Sequence, residues 1–493
     1  MLYKNNDANF IAFRVVLVFR AVILYALEKL RKMVYTVKTT ESDQGPCKEV
    51  KSGSIWKEFV ISFIASIPFF THGVETTILS TSAHAGHFIT SPDDEPWNAT
   101  AMLIAAGISA PVYCYVIDKF GRKIGIFIIS LMQGASLVPL FLPPKDINML
   151  ILHIFAGISS GGLFTVLPIY VREISSTNIR GVTISLMMVM TTAGYLMKLV
   201  TGVETLMYSM TALLIVQFVL MVVMVESPSY LVMVGKMESA TEAISKLRCL
   251  SYENPALSNE VIHLRDERDR VRANGKLSLL QILRNRIWWD ATKIGFVLYT
   301  IHVICGSIVF LDQDKVLLQL KMDMDPEKVL VVASLCGGSL LCLSMVKFID
   351  RKYLLTFGYA IMVLSMGVLG VYTQTELTVR SLHWLPVVAL GVLVIGYGLA
   401  WGLPIIIMVE MYNFEIRAKL LGLLYTYSQI IKLAHIHSFK YIEEYMGIYT
   451  VFYLFACINL FAGVYTLFGI PNIKDKSVKQ IERQLKRVPI LKL

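Results

Sequence analysis

Charge is what this sequence has least of. Of 493 residues only 17% are Asp, Glu, Lys or Arg, against 55% in the apolar set, and the mean hydropathy is +0.60. That balance excludes an ordinary soluble domain, whose charged share is about 25%. Cysteine occurs without a useful pattern. The seven (Cys47, Cys114, Cys249, Cys305, Cys336, Cys342, Cys457) show no C-x-x-C spacing and mostly fall inside apolar runs. They read as small buried hydrophobes, which excludes metal ligation or a disulfide framework. No G-x-x-x-x-G-K-S/T loop occurs, which argues against a nucleotide-driven pump. The formal charge of +10 gathers into no nucleic-acid patch, and neither a cofactor nor a nucleic-acid partner is expected.

What remains is a succession of long apolar runs. About 20 such residues cross the ~30 Å hydrocarbon layer as a helix. Twelve runs are predicted, over 57–79, 97–117, 124–142, 148–170, 182–203, 207–225, 288–311, 329–348, 354–372, 385–408, 420–437 and 448–470. The joins after even-numbered runs carry Lys119, Arg122 and Lys123, then Arg172 and Arg180, a long charged segment, Arg351 and Lys352, and finally Arg417 and Lys419. Cations mark the cytoplasmic side, so both termini are expected inside, as an even number of crossings requires. The opposite join "STSAHAGHFITSPDDEPWNAT" has no Lys or Arg and contains Asn98-Ala99-Thr100, which makes Asn98 a candidate glycosylation site.

Two segments break the pattern. "FIAFRVVLVFRAVILYALEKLRKMVY" is interrupted by Arg14 and Arg20, so an amphipathic helix lying on the membrane is favoured over a thirteenth crossing. Residues 226–287 hold ten Lys and Arg against eight Asp and Glu, with Ala243, Leu247 and Leu250 at helical spacing. The expectation is an all-α membrane protein: a cytoplasmic segment 1–56, a six-helix bundle over 57–225, a cytoplasmic helical linker 226–287, a second six-helix bundle over 288–470 and a basic tail 471–493.

The two halves repeat one another. "IDKFGRK" after the second run is echoed by "IDRKYLL" after the eighth, and "YVREISSTNIRG" after the fourth by "VEMYNFEIRAK" after the tenth. Glu173 and Arg180 are seven residues apart, as are Glu410 and Arg417. A solvated loop accounts for any one such turn, but not for four in register.

These residues carry a resemblance. "DKFGRK", "PIYVREISSTNIRG", "VESPSYLVMVGKMESATEAISKLR", "VEMYNFEIR" and "PNIKDKSVKQIE" resemble the signature motifs of the sugar porter family of the major facilitator superfamily, most of all its insect trehalose and glucose facilitators. The resemblance implies two six-helix bundles that carry a sugar-like solute by alternating access, without covalent chemistry, in the plasma membrane. It also implies that Arg122, Glu173, Arg180 and Glu226 form one cytoplasmic ion-pair cluster and Arg351, Glu410 and Arg417 its counterpart. Asp118 and Asp350 would stand in the same turns. Such a latch biases a two-state equilibrium; in the simpler reading these charges set orientation only.

The solute site departs from the family. Its polar motif in the seventh run is reduced to Gly306 in "HVICGSI", the fifth run's glutamine falls on Met188, and the tenth run's tryptophan falls near Ile405. Losing one such polar contact costs about 1–3 kcal/mol, so ordinary glucose transport needs replacements. The candidates are His302, Gly306, Ser307, Thr191, Thr192, Trp401, Ser428 and Gln429, although a hydroxyl bonded to its own helix explains several equally well. Glu75 and Lys432 are charges inside runs, each costing at least ~2.5 kcal/mol without a partner or water. By resemblance to proton-coupled members, Glu75 with His153 would exchange a proton, whereas a hydrated vestibule position for Glu75 is the plainer alternative. A transporter-like sensor without transport is the competing reading for the whole chain.

Overall fold

The computed structural model describes residues 34–37, 50–84, 95–142, 146–197, 202–273, 278–307, 324–375, 384–474 and 476–485. The segment before Val34 expected to lie on the membrane and most of the first outer join lie outside them. Two short strands, β1 (Val34–Val37) and β2 (Val50–Ser54), pair antiparallel ahead of the first membrane helix.

Every apolar run corresponds to helix. The first six are α1 (Trp56–His84), α2 (Glu95–Phe120), α3 (Arg122–Leu137, continued by a 3-10 turn to Phe141), α4 (Asp146–Ile174), α5 (Arg180–Leu196) and α6 (Val203–Met221). Four short helices follow: α7 (Pro228–Val234), α8 (Met237–Arg248), α9 (Pro255–Arg272) and α10 (Leu279–Arg284). The second set is α11 (Arg286–Ile304), α12 (Met324–Met345), α13 (Arg351–Gln374), α14 (Trp384–Ala400) with α15 (Leu403–Met411), α16 (Phe414–Met446) and α17 (Ile448–Gly469), before the tail helix α18 (Val478–Leu485).

Among the described residues eight helical stretches are long and apolar enough to cross a membrane. The others fall short for local reasons: α5 has 17 residues, and α11 carries Arg286, Asp290 and Lys293. The tenth run is not one helix. It breaks at Trp401 and Gly402, where Pro404, early in α15, lacks the N–H that would continue the helix.

Helices α1–α6 pack mainly on one another, as do α11–α17, and the two bundles meet along α2 with α16 and α5 with α12. This is the twelve-helix, two-bundle architecture of a multi-pass membrane protein. Small residues allow the closest crossings: a Cβ added to Gly73 in α1 would lie 2.8 Å from the Cα of Gly194 in α5. Buried polar groups find partners within the bundle. Thr71 donates to Gln217 at 3.0 Å, Gln217 to Gln133 at 3.1 Å, and Gln133 to the carbonyl of Pro68 at 2.9 Å. Such internal pairing is what a backbone and its amides need where water is absent.

In the insert that joins the two bundles, α8 buries Ala240, Ala243, Ile244 and Leu247 on one face. Ser227 caps α7 by accepting the N–H of Tyr230 at 3.2 Å. Arg248, at the end of α8, forms ion pairs with Glu58 of α1 at 2.8 Å and Glu260 of α9 at 2.9 Å. Glu267 of α9 accepts from Asn413, just before α16, at 2.9 Å. The insert is thus bonded to both bundles.

Candidate functional site

Glu173, near the end of α4, stands at the centre of the charges of the repeated turns. Its carboxylate accepts from Arg122 Nε at 3.0 Å and Nη2 at 3.3 Å, from Arg417 Nη1 at 3.1 Å, and from the hydroxyl of Ser227. The Glu173, Arg122 and Arg417 side chains are all fully buried. Arg122 also donates to the carbonyl of Ile117 at 3.0 Å, reaches Asp118 at 3.5 Å and lies over the Tyr230 ring. Arg417 donates further to the carbonyls of Val409 and Tyr412. The pairing therefore crosses the interface: an arginine from each bundle shares one acid.

The remaining charges take other partners. Arg351 pairs with Glu410 at 2.9 Å within the second bundle, and its guanidinium lies against Gly181 of the first, where a Cβ would come within 2.7 Å. Arg180 donates to the carbonyl of Ser175 at 3.5 Å and makes no ion pair with Glu173 among the described residues. Asp350 precedes α13 without a side-chain cap. Glu226 makes no side-chain ion pair with Arg122. It accepts the backbone N–H groups of Arg122 at 3.0 Å and Lys123 at 3.3 Å, capping α3 where the helix dipole favours an anion. Burial pushes its carboxyl above the ordinary range, opposed by those backbone donors.

Sequence reasoning missed Glu58, whose second oxygen accepts the N–H of Ser176 at 2.7 Å. Its place directly after Trp56 and Lys57, at a helix start, gave no sign of burial.

Deeper in the membrane region an aromatic cluster joins the bundles. Phe164 of α4 stacks on Tyr425 of α16 at 6.0 Å and meets Trp401 edge-on at 6.3 Å, while Phe69 and His72 of α1 pack edge-on against it. Tyr425 Oη lies 3.0 Å from Ser160, and Thr426 donates to the carbonyl of Gly107 at 2.8 Å. Thr192 of α5 lies 2.8 Å from Ser339 of α12. These partners, aromatic or hydroxylic within apolar runs, were not separable from core residues in the sequence.

Several candidates turn to their own helices. Thr191 donates to Met187 at 3.1 Å, Ser307 to Val303 at 3.1 Å and Ser428 to Tyr425 at 2.7 Å. Gly306 takes φ 102 against Met366 and Phe455, a structural turn at the end of α11. His302 is half-buried with its ring stacked 6.4 Å from that of Tyr397, and Gln429 faces Gly107 of the first bundle.

Glu75 accepts from Ser136 at 2.5 Å and Ser159 at 3.5 Å, and its histidine neighbour is His72, one turn earlier on α1, at 3.3 Å. His153 instead directs Nδ1 to the carbonyl of Met149 at 2.8 Å. The i,i+3 spacing of His72 and Glu75 carried that signal. Asn98 sits in the first turns of α2 with 8% of its surface exposed, a placement that argues against a glycan there.

Two bundles clasped by an interfacial charge network, with polar and aromatic groups between them, define a carrier-like membrane protein. Residues 50–485 match the family of sugar (and other) transporters, and the chain belongs to that family. A facilitated glucose transporter (member 5 of solute carrier family 2) from Homo sapiens is 23% identical over 414 residues, covering 78% of this chain and 80% of that protein. A facilitated trehalose transporter from Apis mellifera ligustica is 21% identical, covering 80% of each. Among solved structures, a proton:xylose symporter of the major facilitator superfamily bound to 6-bromo-6-deoxy-D-glucose superposes with a TM-score of 0.74 at 18% identity. That superposition covers 87% of this chain and 99% of the other.

Proposed function

We propose that the chain is a secondary carrier of a sugar or sugar-like solute, bound between bundles spanning 57–225 and 288–470 and exposed to each side in turn. Both termini lie in the cytoplasm and the protein works in the plasma membrane. The observation that carries the reading is the buried carboxylate of Glu173 shared by Arg122 and Arg417, one from each bundle. A purely orienting charge has no need of a partner across a buried interface; a latch does. Opening toward the cytoplasm would hydrate all three groups, so the pair can be released each cycle at modest net cost.

The polar surround of Glu75 supports proton coupling at that carboxylate, with His72 as the adjacent base in place of His153. In wild type, uptake faster at an acidic outer face, and loss of that pH dependence in Glu75→Gln, is the expected result; uptake equally fast at every pH returns the protein to facilitated transport.

The decisive experiment is uptake of labelled hexoses, trehalose, polyols and small organic ions into oocytes or vesicles. Accumulation above control that is lost in Glu173→Gln supports a carrier. Surface protein with no uptake of any of them favours the transporter-like sensor, a reading supported by the family amides missing from the fifth and seventh runs.

A further inference from the structure

Lys432 is the unexplained charge of the central region. On α16 it follows Tyr425 by seven residues and Gln429 by three, so it shares the face on which those residues meet Ser160 and Gly107 of the first bundle. Fifteen residues separate it from Arg417 on the same helix, which places it about 22 Å along the axis from the cytoplasmic latch. It is half-buried. No acid among the described residues lies within ion-pair distance of it, whereas Asp290 is held by Lys293 at 3.2 Å and Glu75 by His72 and two serines. Its electrostatic neighbour from α11 is His302, another basic group. One turn further, His435 packs against Phe439 and Phe455.

An ammonium group in this setting must be served by water or by an anion that comes and goes. The neighbouring groups fit the rest of a small solute: the Gln429 amide and the Ser428 hydroxyl that accepts from it at 3.4 Å stand one turn away on the same helix. A single point charge matches a single negative charge. We propose that the solute is a hydroxylated monocarboxylate, a sugar acid, with its carboxylate on Lys432 and its hydroxyls on the flanking polar groups. This rests on the reading of the region between the bundles as the solute site.

The test uses the purified full chain in detergent, with gluconate and glucitol as probes, which differ only in carboxylate against hydroxymethyl. Calorimetry is expected to give at least tenfold tighter binding of gluconate. Lys432→Gln should abolish that preference and Lys432→Arg should keep it, which separates loss of charge from loss of fold. Equal binding of the two probes, binding of neither, or an undiminished preference in Lys432→Gln overturns the proposal. Counterflow in vesicles separates the two readings. Gluconate that binds through Lys432 but does not cross defeats the carrier while the anion site stands. Neutral sugar that crosses with no gluconate preference defeats the anion site while the carrier stands.

Discussion

Gly121 takes φ 108 and ψ 161, a backbone region essentially closed to residues with side chains. A Cβ there would also run into the Glu226 carboxylate that caps α3. Gly121→Ala should therefore lose about 1–3 kcal/mol through strain alone, and more through the displaced cap. Thermal unfolding in detergent should show a clear fall in Tm, whereas Lys236→Ala, at an exposed position, should leave it unchanged. At this scale the sequence was readable in one respect and opaque in another. Charges are so few that each of those in the repeated turns was identifiable, but their partners were not. The repeat suggests pairing within each half, and only the folded interface brings Arg417 to Glu173. The family pattern pointed Glu75 toward His153, while the simple three-residue spacing to His72 was the better guide.

Helices were legible because a run of apolar residues of membrane length has few alternatives once backbone groups must be satisfied internally. The break between α14 and α15 was hidden inside one continuous apolar run, although Gly402 and Pro404 supply its cause. Hydroxyls that join elements were hidden too, since a serine or threonine in a membrane helix bonds as readily to its own backbone as to a neighbour. Thr192 and Ser339 can do either: each lies within reach of a carbonyl of its own helix, and the two hydroxyls are 2.8 Å apart where α5 meets α12, so the one that donates across accepts a weaker hold on its own helix. A double-mutant cycle of Thr192→Val and Ser339→Ala measures what their contact contributes. Each single change is expected to cost about 0.5–1.5 kcal/mol, with the double mutant little worse than either. Strict additivity in chemical or thermal unfolding would show that the two hydroxyls act independently.

For the whole molecule, the proposed latch makes one side chain, the shared carboxylate, responsible for which face is closed. Glu173→Gln leaves Arg122 and Arg417 buried without their common counter-charge, a loss of about 3–5 kcal/mol for the closed arrangement. Even the lower figure shifts a closed-to-open ratio on the order of a hundredfold. Cys342 provides a native reporter, because it is buried with its sulfur 4.0 Å from Ser185 across the bundle interface. A membrane-impermeant thiol reagent added on the side of the membrane that carries the Glu173 cluster should label Cys342 much faster in Glu173→Gln than in wild type. Equal labelling rates would remove Glu173 from control of that equilibrium.

The insert between the bundles has a kinetic consequence. Arg248 fastens it to α1, and Glu267 fastens it to the residue preceding α16, so these ends of the two bundles cannot part as two bare surfaces. One anchorage must yield before the other, or the short helices must stretch between them. In the proposed carrier, separation would proceed as a series of small ruptures, each with its own lifetime, and the insert would bear on the tempo of the cycle as well as on its resting position.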